Sequence, residues 1–463
     1  MRARCLTTFP ALSLALASPL QAEEMPQSAG GKEALEILTQ TIEVPTVKGR
    51  GKVPDLAAML ERRLIAGGFA AEDIAFTPLG ETGYLTARYP GSDSEAGPLV
   101  ILVHMDVVEA KPEDWERDPF AAVIEDGYIF GRGSVDNKAD LVMAMAALFT
   151  LKREGFRPVR DIVLLATGDE ETDMATARAA AETLGHASLV LNGDGGEAEL
   201  AEDGTPIVYK IQAAEKTYAD FRLTAVDAGG HSSRPDDSNP IADIAAAVRA
   251  IVDHPFAPEL SPITRLYWEA TAERAPGEVA AAMRAFAADP SDLEAADRLS
   301  SDPEYIGVVR TTCVPTQVAG GHAPNALPQS ASVTINCRIF PSATRVQTLE
   351  RLRQIVGNPN IAFEIIDDGS IEAPASPLLP EVLAAVEKAV HQRAPGLPIT
   401  PAMEAGATDS MFFRAKGIPA FGVSAVFMKP TDDYTHGLNE RLPIATLDPG
   451  VRQWEVLLRE LAD

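Results

Sequence analysis

The chain has 463 residues and a formal net charge of −27, with 40 Lys and Arg against 67 Asp and Glu. A length of this order supports two or three domains, and 46% hydrophobic with 23% charged residues excludes a wholly disordered chain. The acidic balance argues against nucleic acid and anionic membrane as partners, because both carry the protein's own sign, and otherwise implies only solubility.

Residues 1–22 differ in texture from the rest. Arg2 and Arg4 precede an apolar stretch over 12–20, and Ala22 lies just before the acidic pair Glu23 and Glu24. This layout predicts a cleaved secretory signal peptide and a secreted or periplasmic protein, with a frayed N-terminal extension as the plainer alternative. No later stretch reaches the ~18 apolar residues of a membrane span. Cys5 leaves with the signal, so Cys313 and Cys337 remain and a disulfide framework is excluded.

Helices are predicted over 32–42 and 55–66 and a strand over 83–89, followed by apolar runs at 99–103, 162–166 and 189–191. Each run is short, rich in Val, Ile and Leu, and ends in a polar cluster, as strands covered on both faces do. Between the first two runs, 138–153 is apolar nearly all round and reads as a buried crossover helix. The pattern is α/β, a class that places ligands at the carboxyl ends of its strands. Near Glu215 the texture changes. Alternating strands are predicted at 217–226, 308–318, 331–340 and 361–366, with helices at 239–252, 345–356 and through the Ala-rich stretch 260–302. Paired strands with helices on one face predict an α+β insertion. A helix at 379–391 and a strand at 421–426 then restore the first texture. The chain therefore divides into 23–214 and 373–463, two parts of one α/β domain, around an inserted domain at 215–372.

The polar clusters carry the chemistry. They are His104-Met105-Asp106, Gly131-Arg132-Gly133 with Asp136, Asp169-Glu170-Glu171, and Asp194 within Asn192-Gly193-Asp194-Gly195-Gly196. Far downstream stands Tyr434-Thr435-His436-Gly437-Leu438-Asn439-Glu440. Residues i and i+2 of an extended chain face one side, so Asp106 can stand behind His104 and fix its tautomer. Two histidines and three carboxylates at such places suit a pair of borderline divalent ions, Zn²⁺ most naturally. Singly, each residue reads more readily as a cap or a turn former.

Together and in this order they resemble the co-catalytic zinc peptidase family of glutamate carboxypeptidase, aminoacylase, carnosinase, yeast carboxypeptidase S and succinyl-diaminopimelate desuccinylase. The signatures are Leu102-Val103-His104-Met105-Asp106-Val107-Val108, Gly131-Arg132-Gly133-Ser134-Val135-Asp136-Asn137-Lys138 and Asp169-Glu170-Glu171. Trp115, Pro119-Phe120 and Asp126-Gly127 are most similar to the carboxypeptidase S and N-acyl amino-acid hydrolase branch. The resemblance implies a three-layer αβα catalytic domain with an inserted α+β lid and dimerisation domain. It implies one zinc on His104 and Asp194, a second on Glu171 and His436, and Asp136 bridging both, with Co²⁺ or Mn²⁺ as substitutes. Glu170 becomes the general base and Asp106 the partner of His104. His231, in Gly229-Gly230-His231-Ser232-Ser233, becomes the oxyanion donor, reaching in from a second subunit of a homodimer. Asn325, in Ala323-Pro324-Asn325-Ala326-Leu327-Pro328, and Arg338 become substrate contacts, as do Gly406 and Thr408 on the leaving-group loop. Ala139 and Ala407 depart from the usual glycines. The implied activity is hydrolysis of the amide next to a free carboxylate in a small peptide. The alternatives are an N-acyl amino-acid hydrolase and, from another class, a non-catalytic metal- or peptide-binding protein.

The two cysteines lie 12 residues to either side of Asn325. In a symmetric hairpin around that residue they oppose each other, within reach of a disulfide. The alternative is a pair of small buried residues that never oxidise.

Overall fold

The computed structural model describes residues 25–463 apart from 94, 236 and 368, so the signal peptide expected at 1–22 lies outside the described residues. The strand Leu99–His104 is buried at every position and runs parallel to both of its neighbours, Ile162–Thr167 and Leu189–Asn192. Leu99, Ile101 and Val103 face the helix Lys138–Arg153, buried from Lys138 to Phe149, which packs with Ala29–Ile42 and Leu447–Leu461. Val100 and Leu102 face the other way, toward Ala177 and Ala180 of Ala175–Thr183 and Phe412 and Phe413 of Ser410–Arg414. Helices therefore cover both faces of one 10-stranded sheet, which explains the near-continuous apolar runs. This is the expected αβα catalytic domain. Among the described residues no helix is long and apolar enough to cross a membrane.

A second, four-stranded sheet orders Thr312–Gly320, Ser330–Ile339, Thr217–Val226 and Ile361–Ile366. Thr217, Ala219, Phe221, Leu223 and Ala225 alternate inward along Thr217–Val226, against Pro240–Asp253 and Arg345–Val356. The remaining helices of segment 215–372 pack elsewhere. Pro262–Ala272 lies against the strand Ile399–Glu404, and Ile263, Tyr267, Trp268, Met283 and Phe286 join the core that contains Leu99. The chain's exit to the insertion and its return are stitched together. Arg414, buried, places Nη1 at 3.1 Å from Glu215 Oε1 and donates from Nε to Ser376 Oγ at 3.2 Å, while Ser376 N donates to Ala213 O at 2.8 Å.

Two predicted strands differ. Residues 308–309 end the helix Pro303–Val309, whose start is fixed by Pro303 and by the Asp302 side chain accepting from Glu304 N; the strand begins at Thr312. The strand expected at 421–426 is split into Ala420–Gly422 and Phe427–Met428. Its middle is diverted by the buried carboxylate of Asp140, which accepts from Ser424 Oγ at 2.6 Å, Ala425 N at 2.9 Å and Trp454 Nε1 at 2.8 Å. Gly422 must be glycine, because a Cβ there would meet the Gly195 carbonyl carbon at 2.5 Å.

Cys313 and Cys337 are paired in register and joined as a disulfide, with Cα atoms 4.1 Å apart. A chain beginning at residue 23, unfolded without reductant, is therefore expected to show no free thiol by titration. Reduction should expose two and lower stability by roughly 3 kcal/mol through the freed unfolded chain. Two thiols without reductant would contradict the pairing.

Candidate metal centre

The parallel strands bring three polar clusters to one edge. His104 is the last residue of its strand; Thr167 ends the next and leads into Asp169, Glu170 and Glu171; Asn192 ends the third and leads into Asp194. Asp136 sits just before the helix Lys138–Arg153. His436 arrives from the loop ahead of Arg441–Pro443. Asp169 itself is structural, accepting from Ala175 N at 2.9 Å and Thr176 N at 3.0 Å at the head of Ala175–Thr183.

Asp136 faces both imidazoles with its two oxygens. His104 Nε2 lies 2.9 Å from Oδ1, and His436 Nε2 lies 3.2 Å from Oδ2 and 2.9 Å from Glu171 Oε2. Ligand atoms of His104, Asp136 and Glu171, and separately of His104, Glu170 and Asp194, lie within 4.8 Å of one another. Ligand atoms around a tetrahedral zinc stand about 3.3 Å apart, so the spacing fits. The charge fits as well. Burial first, and then neighbouring carboxylates, push Glu170 and Asp194 well above the usual range. Burial also raises Glu171. A cluster of buried carboxylates that resist ionisation lacks positive charge, which divalent cations supply. Burial opposes the charge of Asp136 too, but its bonds to His104 and His436 outweigh that and hold it below the usual range.

The Asp106 carboxylate stands beside His104 as expected, at ion-pair rather than hydrogen-bond distance. His104 Nδ1 lies 3.1 Å from the backbone carbonyl of Asp106 and 3.6 Å from its Oδ1, so the carbonyl fixes the tautomer. The strand ends at His104, and the i, i+2 argument needs an extended chain beyond it. The Asp106 carboxylate also accepts from Glu170 N at 3.1 Å and Glu171 N at 3.0 Å, pinning the loop that carries both.

A sequence profile of Peptidase family M20/M25/M40 matches residues 100–460. The chain belongs to this family. It is 27% identical over 431 residues to the N-fatty-acyl-amino acid synthase/hydrolase PM20D1 of Xenopus tropicalis, covering 89% of this chain and 82% of that protein. It is 29% identical over 283 residues to carboxypeptidase S of Saccharomyces cerevisiae, covering 58% and 49%. The fold is similar to the M20 metallo-carboxypeptidase Sso-CP2 of Sulfolobus solfataricus, with TM-score 0.69, 19% identity and coverage of 92% and 98%. It is also similar to the di-peptidase Dug1p of Saccharomyces cerevisiae, with TM-score 0.66, 17% identity and coverage of 92% and 95%. As a member of the M20 family the protein is a hydrolase of peptide or amide bonds.

The remaining family-implied residues stand in three other places. His231 pairs with Ala326 in a two-residue ribbon, and Ser232 N donates to Asn325 O at 3.1 Å, so His231 and Asn325 are neighbours. Both are exposed, and Nδ1 of His231 takes the Ser233 N–H at 3.2 Å. Arg338 lies on the insertion's sheet with its guanidinium 4.6 Å from the Tyr218 ring. The cavity of about 250 Å³ beside Asp136 and Asp194 is lined by no residue of segment 215–372. Gly406 is exposed, whereas Thr408 is buried and donates from N at 3.0 Å and Oγ1 at 2.8 Å to Glu215 Oε2.

Sequence reasoning passed over Arg132 and Glu440. The buried Glu440 carboxylate accepts from Arg132 Nη1, Gly133 N and Val135 N, each at 2.8 Å, and from Asp136 N at 3.1 Å. The only hint was an arginine between two glycines, and a glutamate shortly after His436.

Proposed function

We propose that this M20 enzyme is a di-zinc peptidase that cleaves the amide next to a free carboxylate in a dipeptide or small peptide. The observation that carries it is Asp136 set between two imidazoles with Glu170 buried beside them. His104 and Asp194 would hold one Zn²⁺, Glu171 and His436 the other, and Asp136 both. When bound, the ions supply positive charge that polarises the scissile carbonyl and acidifies the attacking water. Glu170 accepts that water's proton and delivers it to the leaving amine. The burial that raises its pKa also makes it a stronger base. Arg338 offers a planar fork for the substrate carboxylate, Asn325 orients the substrate, and His231 donates to the developing oxyanion.

His231 lies on the insertion and every metal ligand outside it, so the insertion must close over the site or a second copy must supply the histidine. The strand Thr312–Gly320 is an edge of its sheet, and Val318 on it is 76% exposed, which supports a homodimer through this domain. The Cys313–Cys337 disulfide supports a secreted or periplasmic location.

The second reading, an N-acyl amino-acid hydrolase, is favoured by the PM20D1 relatives. A hydrolysis screen with added Zn²⁺ separates the two. Dipeptides are expected to be cleaved and their C-terminal amides spared. Turnover confined to N-acyl amino acids would establish the second reading, and turnover of neither class would refute both.

A further inference from the structure

We propose that Arg132 and Glu440 are positioning residues that set the spacing between Asp136 and His436, and with it the affinity of the ion those two ligands share with Glu171. The proposal rests on the two-ion reading above. Asp136 and His436 come from segments 300 residues apart in sequence, yet their facing atoms must keep a ligand spacing of 3.2 Å. One buried ion pair spans both segments. On one side Glu440 takes the N–H groups of Gly133, Val135 and Asp136, fixing the backbone at the bridging ligand itself. On the other, Arg132 Nη2 donates at 2.8 Å to the carbonyl of Gly437, the residue directly after His436. The guanidinium fork thus reaches both segments at once, with Nη1 on Glu440 and Nη2 on Gly437.

The backbone at His436 needs such a hold. Its φ is +58°, a left-handed conformation that costs a residue with a Cβ free energy and persists only where the surroundings enforce it. His436 is also exposed, so packing does not fix it. Arg132 and Glu440 are 3% and 0% exposed, and the Arg132 guanidinium lies 5.1 Å from the centre of the Trp115 ring. A buried ion pair adds little net stability over apolar packing. What this one supplies is a fixed distance. None of the hydrogen bonds described for the pair touches His104 or Asp194; the ion those residues hold shares only Asp136 with it, and so depends on the pair less.

The test is titration of the mature full-length protein with Zn²⁺ against a competing chelator, with folding followed by circular dichroism. The native protein should take two ions. Glu440→Gln and Arg132→Lys should each weaken the ion on Glu171 and His436 roughly 10–100-fold and the other, which shares only Asp136 with the pair, clearly less. Lysine keeps the charge but cannot serve Glu440 and Gly437 together, so it carries the test if the Gln variant does not fold. In a His436→Ala background, already deprived of the same ion, Glu440→Gln should have only the smaller effect on the remaining one. Equal weakening of both ions, or of neither, would overturn the proposal. A native protein holding fewer than two ions would overturn the two-ion reading, and this inference with it.

Discussion

Glu170→Gln is expected to keep its full metal complement and to lose hydrolysis by roughly 10²–10⁴-fold, the range for losing a positioned general base. The carboxylate is 7% exposed, and its backbone N–H is tied to Asp106 Oδ1 at 3.1 Å. Glutamine fills the same space, so the loop keeps its shape while the side chain can no longer accept a proton. Steady-state kcat measured beside zinc content by emission spectroscopy checks this, and near-native turnover in the metal-loaded variant would remove Glu170 from its role. The same variant tests the proposed homodimer. Mixed with His231→Ala subunits, it should regain activity, because one site in the mixed dimer then has both groups. No recovery despite demonstrated subunit exchange would mean that each chain completes its own site.

Asp136→Ala should have the reverse phenotype and lose the ions themselves. Its two oxygens face the two imidazoles, with Nε2 of His104 at 2.9 Å from one and Nε2 of His436 at 3.2 Å from the other. Its removal leaves two half-sites of two protein ligands each, short of the three that catalytic zinc sites carry. Zinc per chain after dialysis should fall from two toward zero. The thermal midpoint of the variant should no longer rise with added Zn²⁺, since ligand stabilisation requires a site in the folded state. Two ions per chain in Asp136→Ala would show the bridge to be elsewhere.

The catalytic fold was legible where burial is uniform. Leu99–His104, Ile162–Thr167 and the helix from Lys138 to Phe149 are shielded on all sides, so their composition alone marks them and the polar residues at their ends. It was illegible where a distant side chain competes with the ladder, as Asp140 does at Ser424 and Ala425. Asp106 was placed beside His104, but its carbonyl's closer approach was not foreseen, because nothing in the residues shows that the strand stops at His104. The opposed cysteines emerged from a symmetric count that the hairpin itself does not keep. Gly320 faces Ala331, a register that continued unbroken would set Cys313 against Arg338, and only the bulge between Pro315 and Gln317 restores the pair. The Arg132–Glu440 pair links positions 308 apart, a separation over which local pattern carries no information.

The joined crossing at Glu215 and Ser376 bears on how such an architecture can be rearranged. With its ends stitched by Arg414, the insertion looks like a cassette that a short linker could replace, since domains enter hosts where chain ends lie close. The packing forbids it. Deleting the whole span would also remove Trp268 and Phe286, both fully buried, and bare the apolar side of Ile399–Glu404. A lineage that trims or swaps this insertion must therefore leave the helices from Pro262 to Val309 in place, and exchange only the sheet and the helices that rest on it.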